Sequence, residues 1–160
     1  MKTNIPSLIK KILIAIDSDA FSDHIIDYGI HLAKKMESEV DIVHIDEPPS
    51  SASFMFGSME TESSATMIEL MKLQEELTQK LFKHVRDNWG GEIPLRIYGR
   101  VGKPKDEILA AAEEGKADLI IIGTHGRTGF DHFISGSVAE GVVRKAKCPV
   151  LVLPDKKEEK

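Results

Sequence analysis

Residues 117–126 read Ala-Asp-Leu-Ile-Ile-Ile-Gly-Thr-His-Gly, an apolar run that passes directly into glycine. A short run of this kind, rich in β-branched side chains, is typical of a strand buried on both faces of a parallel sheet. Residues 10–16, Lys-Lys-Ile-Leu-Ile-Ala-Ile, repeat the pattern and end at Asp17 and Ser18. These two segments are therefore the best candidates for the centre of a sheet.

The chain around these segments alternates between helical and extended patterns. Apolar residues at helical spacing predict helices over 22–36, 63–88, 104–115 and 137–147, and further strands are predicted over 39–45, 93–99 and 149–153. The order β-α-β-α-β-α-β-α-β predicts a single α/β domain. Its fold would be a Rossmann-like (flavodoxin-type) open parallel five-stranded sheet with helices on both faces.

Two segments fall outside this alternation. Residues 46–62 have no apolar period and are predicted to form a long loop, a kind of segment that is usually functional or disordered. Residues 155–160 are predicted to be a charged, frayed tail. We expect the domain to cover residues 1–154.

Composition excludes several classes of protein. Acidic groups outnumber basic ones, 26 to 21, so a large basic surface for nucleic acid is not expected. A single cysteine excludes an internal disulfide framework and a multi-cysteine zinc site. The early apolar run, 12–16, is too short for a signal peptide or a membrane span. We expect a soluble, cytoplasmic protein with neither nucleic acid nor membrane as partner.

Chemistry is expected at the carboxyl ends of the central strands, because ligands of open parallel sheets bind where the strand order reverses. The glycine-rich segment 123–136 follows one of these strands. Gly123 and Gly126 would let the backbone approach a ligand, and Gly136-Ser137 opens a helix whose free amides favour anions. The segment could hold a di- or triphosphate; alternatively, its glycines only permit turns.

Asp17, which ends the other central strand, has three interpretations. Its carboxylate could accept hydrogen bonds from a ribose, cap the following helix, or accept a phosphoryl group. The acidic cluster expected beside a phosphoryl acceptor is not evident. The glycine segment also lacks the ending of a P-loop and the spacing of the dinucleotide fingerprint.

These residues together resemble the universal stress protein family. The segment Gly123-x2-Gly126-x9-Gly136-Ser137 matches the family's ATP-binding motif, and its flanks agree over 117–127 and 148–152. The start of the domain, residues 12–18, and residues 43–45 also fit the family. The resemblance therefore covers about residues 9–154. The family's nucleotide-binding branch keeps the motif glycines, and all of them are present here.

The resemblance implies a role for each matching position. Asp17 would contact the ribose, and the backbone of Ile45 would meet the adenine. Phosphates would be held by Gly126, Gly136 and Ser137, with Gly123 shaping the turn. Arg127 and Val138 are neighbours that could assist. The resemblance also implies a homodimer through the last strand, Val150 to Leu153, whose apolar edge would otherwise be adhesive.

No protein metal site is predicted, because His125 and His132 have no Glu or Cys partner at ligand spacing. A divalent ion, Mg²⁺ or Mn²⁺, would ride on the phosphates. We hypothesise an ATP-binding module for stress response or signalling. Two alternatives remain: a slow ATPase or phosphate-transferring enzyme, for which no general base is evident, and a nucleotide-independent interaction module.

Overall fold

Strands and helices alternate along the residues that the computed structural model describes, which are 9–17, 22–47, 62–124 and 137–154. The strands are β1 Lys11–Ile16, β2 Glu39–Asp46, β3 Leu95–Val101, β4 Leu119–Gly123 and β5 Val150–Leu153. The helices are α1 Ser22–Met36, α2 Glu62–Trp89, α3 Pro104–Gly115 and α4 Ser137–Lys145. The predicted order of elements is confirmed.

All five strands form one parallel sheet in the order β3-β2-β1-β4-β5. This is the order of the first five strands of the Rossmann fold. The predicted fold class, an open parallel five-stranded sheet covered by helices on both faces, is confirmed. The tail 155–160 and residues 48–61 of the proposed long loop lie outside the described residues.

The strand β1 lies at the centre of the sheet and is buried on both faces. Ile12 and Ile14 are fully buried and pack with residues of α1 and α2 on one face. Leu13 and Ala15 pack with residues of α3 and α4 on the other face. Since β4 is its direct neighbour, the prediction that residues 10–16 and 117–122 form the centre is confirmed.

A buried carboxylate ties the amino-terminal ends of three strands together. Asp41 of β2 is only 4% exposed and receives Lys11 of β1, with 3.2 Å between Nζ and Oδ2. Arg96 of β3 donates from Nε to Asp41 Oδ1 at 3.1 Å, and this pairing raises the pKa of the guanidinium. A buried charge is tolerated only when it is paired in this way, so Asp41 favours the order β3-β2-β1.

The strand β3 differs from its prediction, since it begins at Leu95 and not at residue 93. Pro94 has no N–H to give to a ladder, although its carbonyl accepts a bond from Val40 N–H at 3.0 Å. At its other end the strand continues through Val101. There the N–H of Gly102 donates to the Asp46 carbonyl at 3.0 Å.

Among the described side chains of α2, the buried ones all lie in the second half of the helix. The sequence predicts one apolar stripe on this helix, of which Val85 is fully buried while Leu73 and Leu77 are about half exposed, at 52% and 51%. Gln74 and Thr78 contact Asp46 at the end of β2. The part of α2 before Gln74 therefore extends past the carboxyl edge of the sheet, which explains why Leu70 and Leu73, both about half exposed, are not covered by strands.

The two helices beside the later strands end in defined ways. Pro104 begins α3, and Lys116 ends it in the left-handed conformation, with φ at 53°. The N–H of Lys116 donates to Glu113 O and that of Ala117 to Ala112 O, which satisfies carbonyls of the last turn. The helix α4 ends at Lys145, two residues before its prediction. Among the described helices, none combines the length and the apolar character that crossing a membrane requires.

Candidate functional site

The strand order reverses between β1 and β4, and this reversal places the residues at the carboxyl ends of three adjacent strands side by side. Ala15 pairs with Val43 in β2 and with Ile122 in β4. Two residues farther along each segment come Asp17, Ile45 and Thr124. These three positions, which we call the carboxyl row, therefore lie together across three adjacent strands. This is the point where open α/β sheets bind ligands.

The carboxyl row continues the face of the sheet that α3 and α4 cover. Ile45, which is 9% exposed, packs in the same cluster as Ala15, Ile122 and Ala139 of α4. Because side chains alternate along a strand, Asp17 and Thr124 follow the direction of Ala15 and Ile122. The first turn of α4 lies at the same edge, since α4 follows β4 and leads back to the start of β5. Asp17, Ile45 and Ser137 thus all lie at the carboxyl edge of the sheet, at the ends of β1 and β2 and at the start of α4.

A serine fixes the backbone at Asp17. The Asp17 N–H donates to Ser22 Oγ at 3.1 Å, and the Ser22 hydroxyl donates back to the Asp17 carbonyl at 2.5 Å. Ser22 is the first residue of α1 and is 1% exposed. These two bonds fix the backbone at the corner between β1 and α1, and with it the position of the Asp17 Cα that carries the carboxylate side chain.

A buried histidine ties the end of β1 to the end of β2. His44 Nδ1 lies 3.2 Å from the carbonyl oxygen of Ile16, and this nitrogen carries the hydrogen because a carbonyl only accepts. His44 Nε2 lies 3.3 Å from Asp46 Oδ1, and Asp46 also accepts bonds from Gln74 and Thr78 of α2. Ile45 sits between these two anchored residues, so its backbone is held in place relative to Asp17.

Arg100, near the carboxyl end of β3, is paired with two carboxylates of α3. Arg100, which is registered with Ile45, donates from Nε to Glu107 at 2.7 Å and from Nη1 to Glu114 at 2.8 Å. Hydrogen bonds to Glu114 and Glu107 raise the pKa of Arg100, and Arg100 in turn lowers the pKa of Glu114. Arg100 is therefore already neutralised, and an anionic ligand at the carboxyl row would have to find its positive partners elsewhere.

Five of the eight residues predicted for the site are described, and three are not. Gly123 is the last residue of β4 and is registered with Leu153 of β5. Val138 packs partly against the α3/α4-side cluster, so the backbone N–H is the group it can offer to a ligand. Gly126, Arg127 and Gly136, together with His125 and His132, lie outside the described residues.

Three residues at this edge were not singled out from the sequence. Thr124 directly follows β4, as Asp17 directly follows β1. This equivalent position could have indicated Thr124 as a site residue. From the sequence, Ser22 is predicted only as a possible cap of α1, and His44 only as a packed or surface histidine. Nothing in the spacing of Ser22 or His44 shows which backbone group they bond, because that depends on the strand register. Among the described residues, no group of three or more His, Cys, Asp or Glu side chains could hold a metal ion.

Comparison with known proteins gives one consistent result. The model of the "Universal stress protein family" matches residues 8–154. A universal stress protein of Methanocaldococcus jannaschii is 36% identical over 155 residues, which cover 96% of this chain and 86% of that protein. One of Bacillus subtilis is 28% identical over 157 residues, with coverages of 91% and 99%.

Solved structures share the fold at lower identity. A universal stress protein from Lactobacillus plantarum superposes with a TM-score of 0.77 at 18% identity, covering 92% of this chain and 99% of its own. A universal stress protein crystallised in complex with cAMP superposes with a TM-score of 0.58 at 20% identity, with coverages of 92% and 98%. At these identities, the likeness shows a common fold.

We call the two bonds between Ser22 Oγ and the Asp17 backbone the clamp on Asp17. The clamp predicts that removing the Ser22 hydroxyl lowers the stability of the protein. Ser22→Ala leaves the Asp17 N–H and carbonyl without their partner, so the free energy of unfolding should fall by about 1–3 kcal/mol. Urea denaturation followed by circular dichroism measures this change. Gln79→Ala, at an exposed position of α2, is the control and should change the free energy by less than about 0.5 kcal/mol. A Ser22→Ala protein as stable as the control would contradict the clamp.

Proposed function

We propose a nucleotide-binding function for this chain, which belongs to the universal stress protein family. The ligand is an adenine nucleotide, ATP in the first place, and the protein acts as a stress-response or signalling module. The observation that carries the proposal is the carboxyl row of Asp17, Ile45 and Thr124, together with the first turn of α4 at the same edge. A crevice of this kind suits a ligand with a polar ribose between an apolar base and an anionic tail.

Each part of the nucleotide has a proposed partner. Asp17 accepts hydrogen bonds from ribose hydroxyls, and its backbone is already held by Ser22. The backbone at Ile45, anchored on both sides by His44 and Asp46, meets the adenine edge. This arrangement leaves the ribose and base contacts prepared before the ligand arrives, which lowers the entropic cost of binding.

The phosphates are proposed to lie along the glycine segment and the start of α4. Gly123 shapes the turn, Gly126, Gly136 and Ser137 hold phosphate oxygens, and Arg127 and Val138 assist. The first amides of a helix are unsatisfied and carry the positive end of its dipole, so they favour an anion. Because the chain carries a formal net charge of -5, this attraction must be local.

Two further observations support an adenine nucleotide as the ligand. All the glycines of the motif and its serine are present in the sequence. A universal stress protein with the same fold has been crystallised in complex with cAMP, which is an adenine nucleotide. We propose that a divalent cation, Mg²⁺ or Mn²⁺, accompanies the triphosphate through the phosphate oxygens, since oxygen-rich anions are what these hard cations prefer.

We also propose a homodimer through β5. This strand lies at the edge of the described sheet, with β4 on its inner side. The N–H of Ile120 in β4 donates to the Pro149 carbonyl, and the N–H of Thr124, just after β4, donates to the Leu153 carbonyl, each at 3.0 Å. In a parallel ladder alternate residues point both polar groups to the same neighbour, so Val150 and Val152 direct theirs outward. A second copy of β5 could pair with them around a twofold axis.

The ribose contact predicts a coupling between one carboxylate and two hydroxyls. Isothermal titration should show that Asp17→Ala weakens ATP about 10- to 100-fold, as expected for a charged hydrogen bond. The wild type should prefer ATP to 2′,3′-dideoxy-ATP by a similar factor, and Asp17→Ala should bind both alike. Asp87→Ala, on the exposed end of α2, is the charge-matched control.

Two results would count against this proposal in different ways. A wild-type protein that binds no ATP at millimolar concentration would remove the nucleotide function. A protein that binds ATP while Asp17→Ala keeps its preference for ATP over the dideoxy compound would remove only the assigned role of Asp17.

The phosphate contact predicts a charge effect at the start of α4. Ser137→Glu should weaken ATP at least about tenfold and weaken adenosine by less than about twofold, since only ATP brings phosphates to this turn. An acid in the first turn stabilises a helix, so misfolding does not explain the loss. Gln79→Glu, on the exposed face of α2, makes the same charge change and serves as control. Equal weakening of adenosine and ATP by Ser137→Glu would contradict the pose.

The proposed dimer predicts a change of mass on removing one outward N–H. Sedimentation equilibrium should give a dimer for the wild type and a monomer for Val152→Pro. Proline at this position deletes an N–H that β4 does not use, and edge strands tolerate it. The far-ultraviolet circular dichroism should stay unchanged. A wild-type monomer, or a Val152→Pro dimer, would contradict an interface through β5.

A further inference from the structure

A cavity of about 150 Å³ lies at the opposite edge of the sheet, between the last turns of α3 and α4. Its walls are mainly apolar and include Leu109, Ala112, Ile120, Ala146 and the thiol-bearing Cys148. Cys148 and Ala117 precede β5 and β4, so the cavity opens at the amino-terminal ends of these strands. It shares no residue with the carboxyl row, and the nucleotide proposal does not use it.

Three lysines and one glutamate line the mouth of this cavity: Lys116, Lys145, Lys147 and Glu113. The ammonium group of Lys147 lies 2.6 Å from Glu113 Oε1, so these two charges neutralise each other. Lys116 and Lys145 form no ion pair with any residue in the described parts of the chain. Within the described residues, the mouth therefore carries two positive charges without an ionic partner.

The positions of these lysines follow from the ends of the two helices. Lys116 is the left-handed residue that terminates α3, and Lys145 is the last residue of α4. Cations are favoured at helix C-termini, so their presence alone does not indicate a ligand. What distinguishes this place is that both helix ends meet at the same cavity. Lys116 and Lys145 therefore line it together with its apolar residues.

The size and chemistry of the cavity define its ligand. An apolar cavity of about 150 Å³ accommodates a single benzene-sized ring. The apolar walls offer nothing to a phosphate or a sugar buried there, while the lysines at the mouth disfavour cations. We propose that this cavity is a second ligand site for small carboxylates with an apolar body of about one ring, the body in the cavity and the carboxylate between Lys116 and Lys145.

Cys148 gives a direct report on occupancy. It is the single cysteine of the chain, it lines the cavity, and it is partly exposed. Burial, together with the negative charge of Asp118, raises the pKa of its thiol. Alkylation therefore proceeds slowly at neutral pH and accelerates in alkaline solution, because the thiolate is the reacting form. A molecule seated against the thiol will block the reagent.

The test measures alkylation of Cys148 by iodoacetamide at about pH 9, near the ordinary thiol range, by intact-mass spectrometry. Benzoate should slow the reaction saturably, with half-protection at about 1 mM, a modest affinity suited to so small a ligand. Benzamide has the same ring without the charge and should need at least about fivefold more. In the double variant Lys116→Gln/Lys145→Gln, benzoate should lose this advantage over benzamide.

Two further variants complete the design. Lys35→Gln/Lys80→Gln removes the same charge from α1 and α2 and should keep the wild-type preference for benzoate. Ala112→Leu fills the cavity and should abolish protection by both compounds. The proposal is overturned if tens of millimolar benzoate leave the alkylation rate unchanged. It is equally overturned if benzoate and benzamide protect alike in the wild type, or if the Lys116→Gln/Lys145→Gln protein keeps the preference.

Discussion

The pairing of β1 with two neighbours at once determines the rest of this structure. The strand can occupy the centre because every residue from Ile12 to Ile16 is apolar and buried, on one face or the other. Because β2 lies on one side of β1 and β4 on the other, the chain first adds β2 and β3 toward one edge of the sheet. It then adds β4 and β5 toward the opposite edge. As a result α1, which follows β1, packs on one face of the sheet, and α4, which follows β4, packs on the other. The carboxyl row is a consequence of burying β1, and the residues proposed to bind the nucleotide lie in or beside it.

Polar side chains near the crevice fix the backbone that a ligand would contact. Ser22 bonds both polar backbone groups of Asp17, and His44 bonds the carbonyl that precedes it. Arg100 is paired with Glu107 and Glu114, so it is not free to neutralise an anionic ligand. A polyphosphate on a chain of net charge -5 then depends on backbone amides at a helix start, whose partial charges act only at short range.

The sequence predicted most of the fold because its strongest signals arise from burial. The uninterrupted runs before Asp17 and Gly123 can be satisfied only inside a parallel sheet, and the helices between them follow from periodicity. Periodicity could not show that Leu70 and Leu73 extend past the edge of the sheet, since an apolar stripe does not reveal how far the strands beneath it reach. The predicted start of β3 at residue 93 is wrong, because Pro94 has no N–H to donate and bonds the neighbouring strand through its carbonyl alone.

For the site, the sequence identified the positions that lie next to a strand end, such as Asp17 and Gly123. It could not identify Ser22 or His44 as their supports, because those bonds join residues through the strand register and the corner between β1 and α1. The cavity near Cys148 was equally invisible, since it arises where two helix ends meet. Segment-level patterns thus give the elements and their order, whereas contacts between elements require the structure.

The central claim is that an adenine nucleotide occupies the carboxyl row, and amide chemical shifts test it most directly. On titrating the ¹⁵N-labelled protein with ATP and Mg²⁺, we expect the amides of Asp17, Ile45, Thr124 and Val138 to shift saturably. The amides of Lys11, Glu39 and Ala117, at the amino-terminal ends of the same strands, should stay where they are. Shifts confined to the amino-terminal edge, or no shifts at millimolar ATP, would contradict the account.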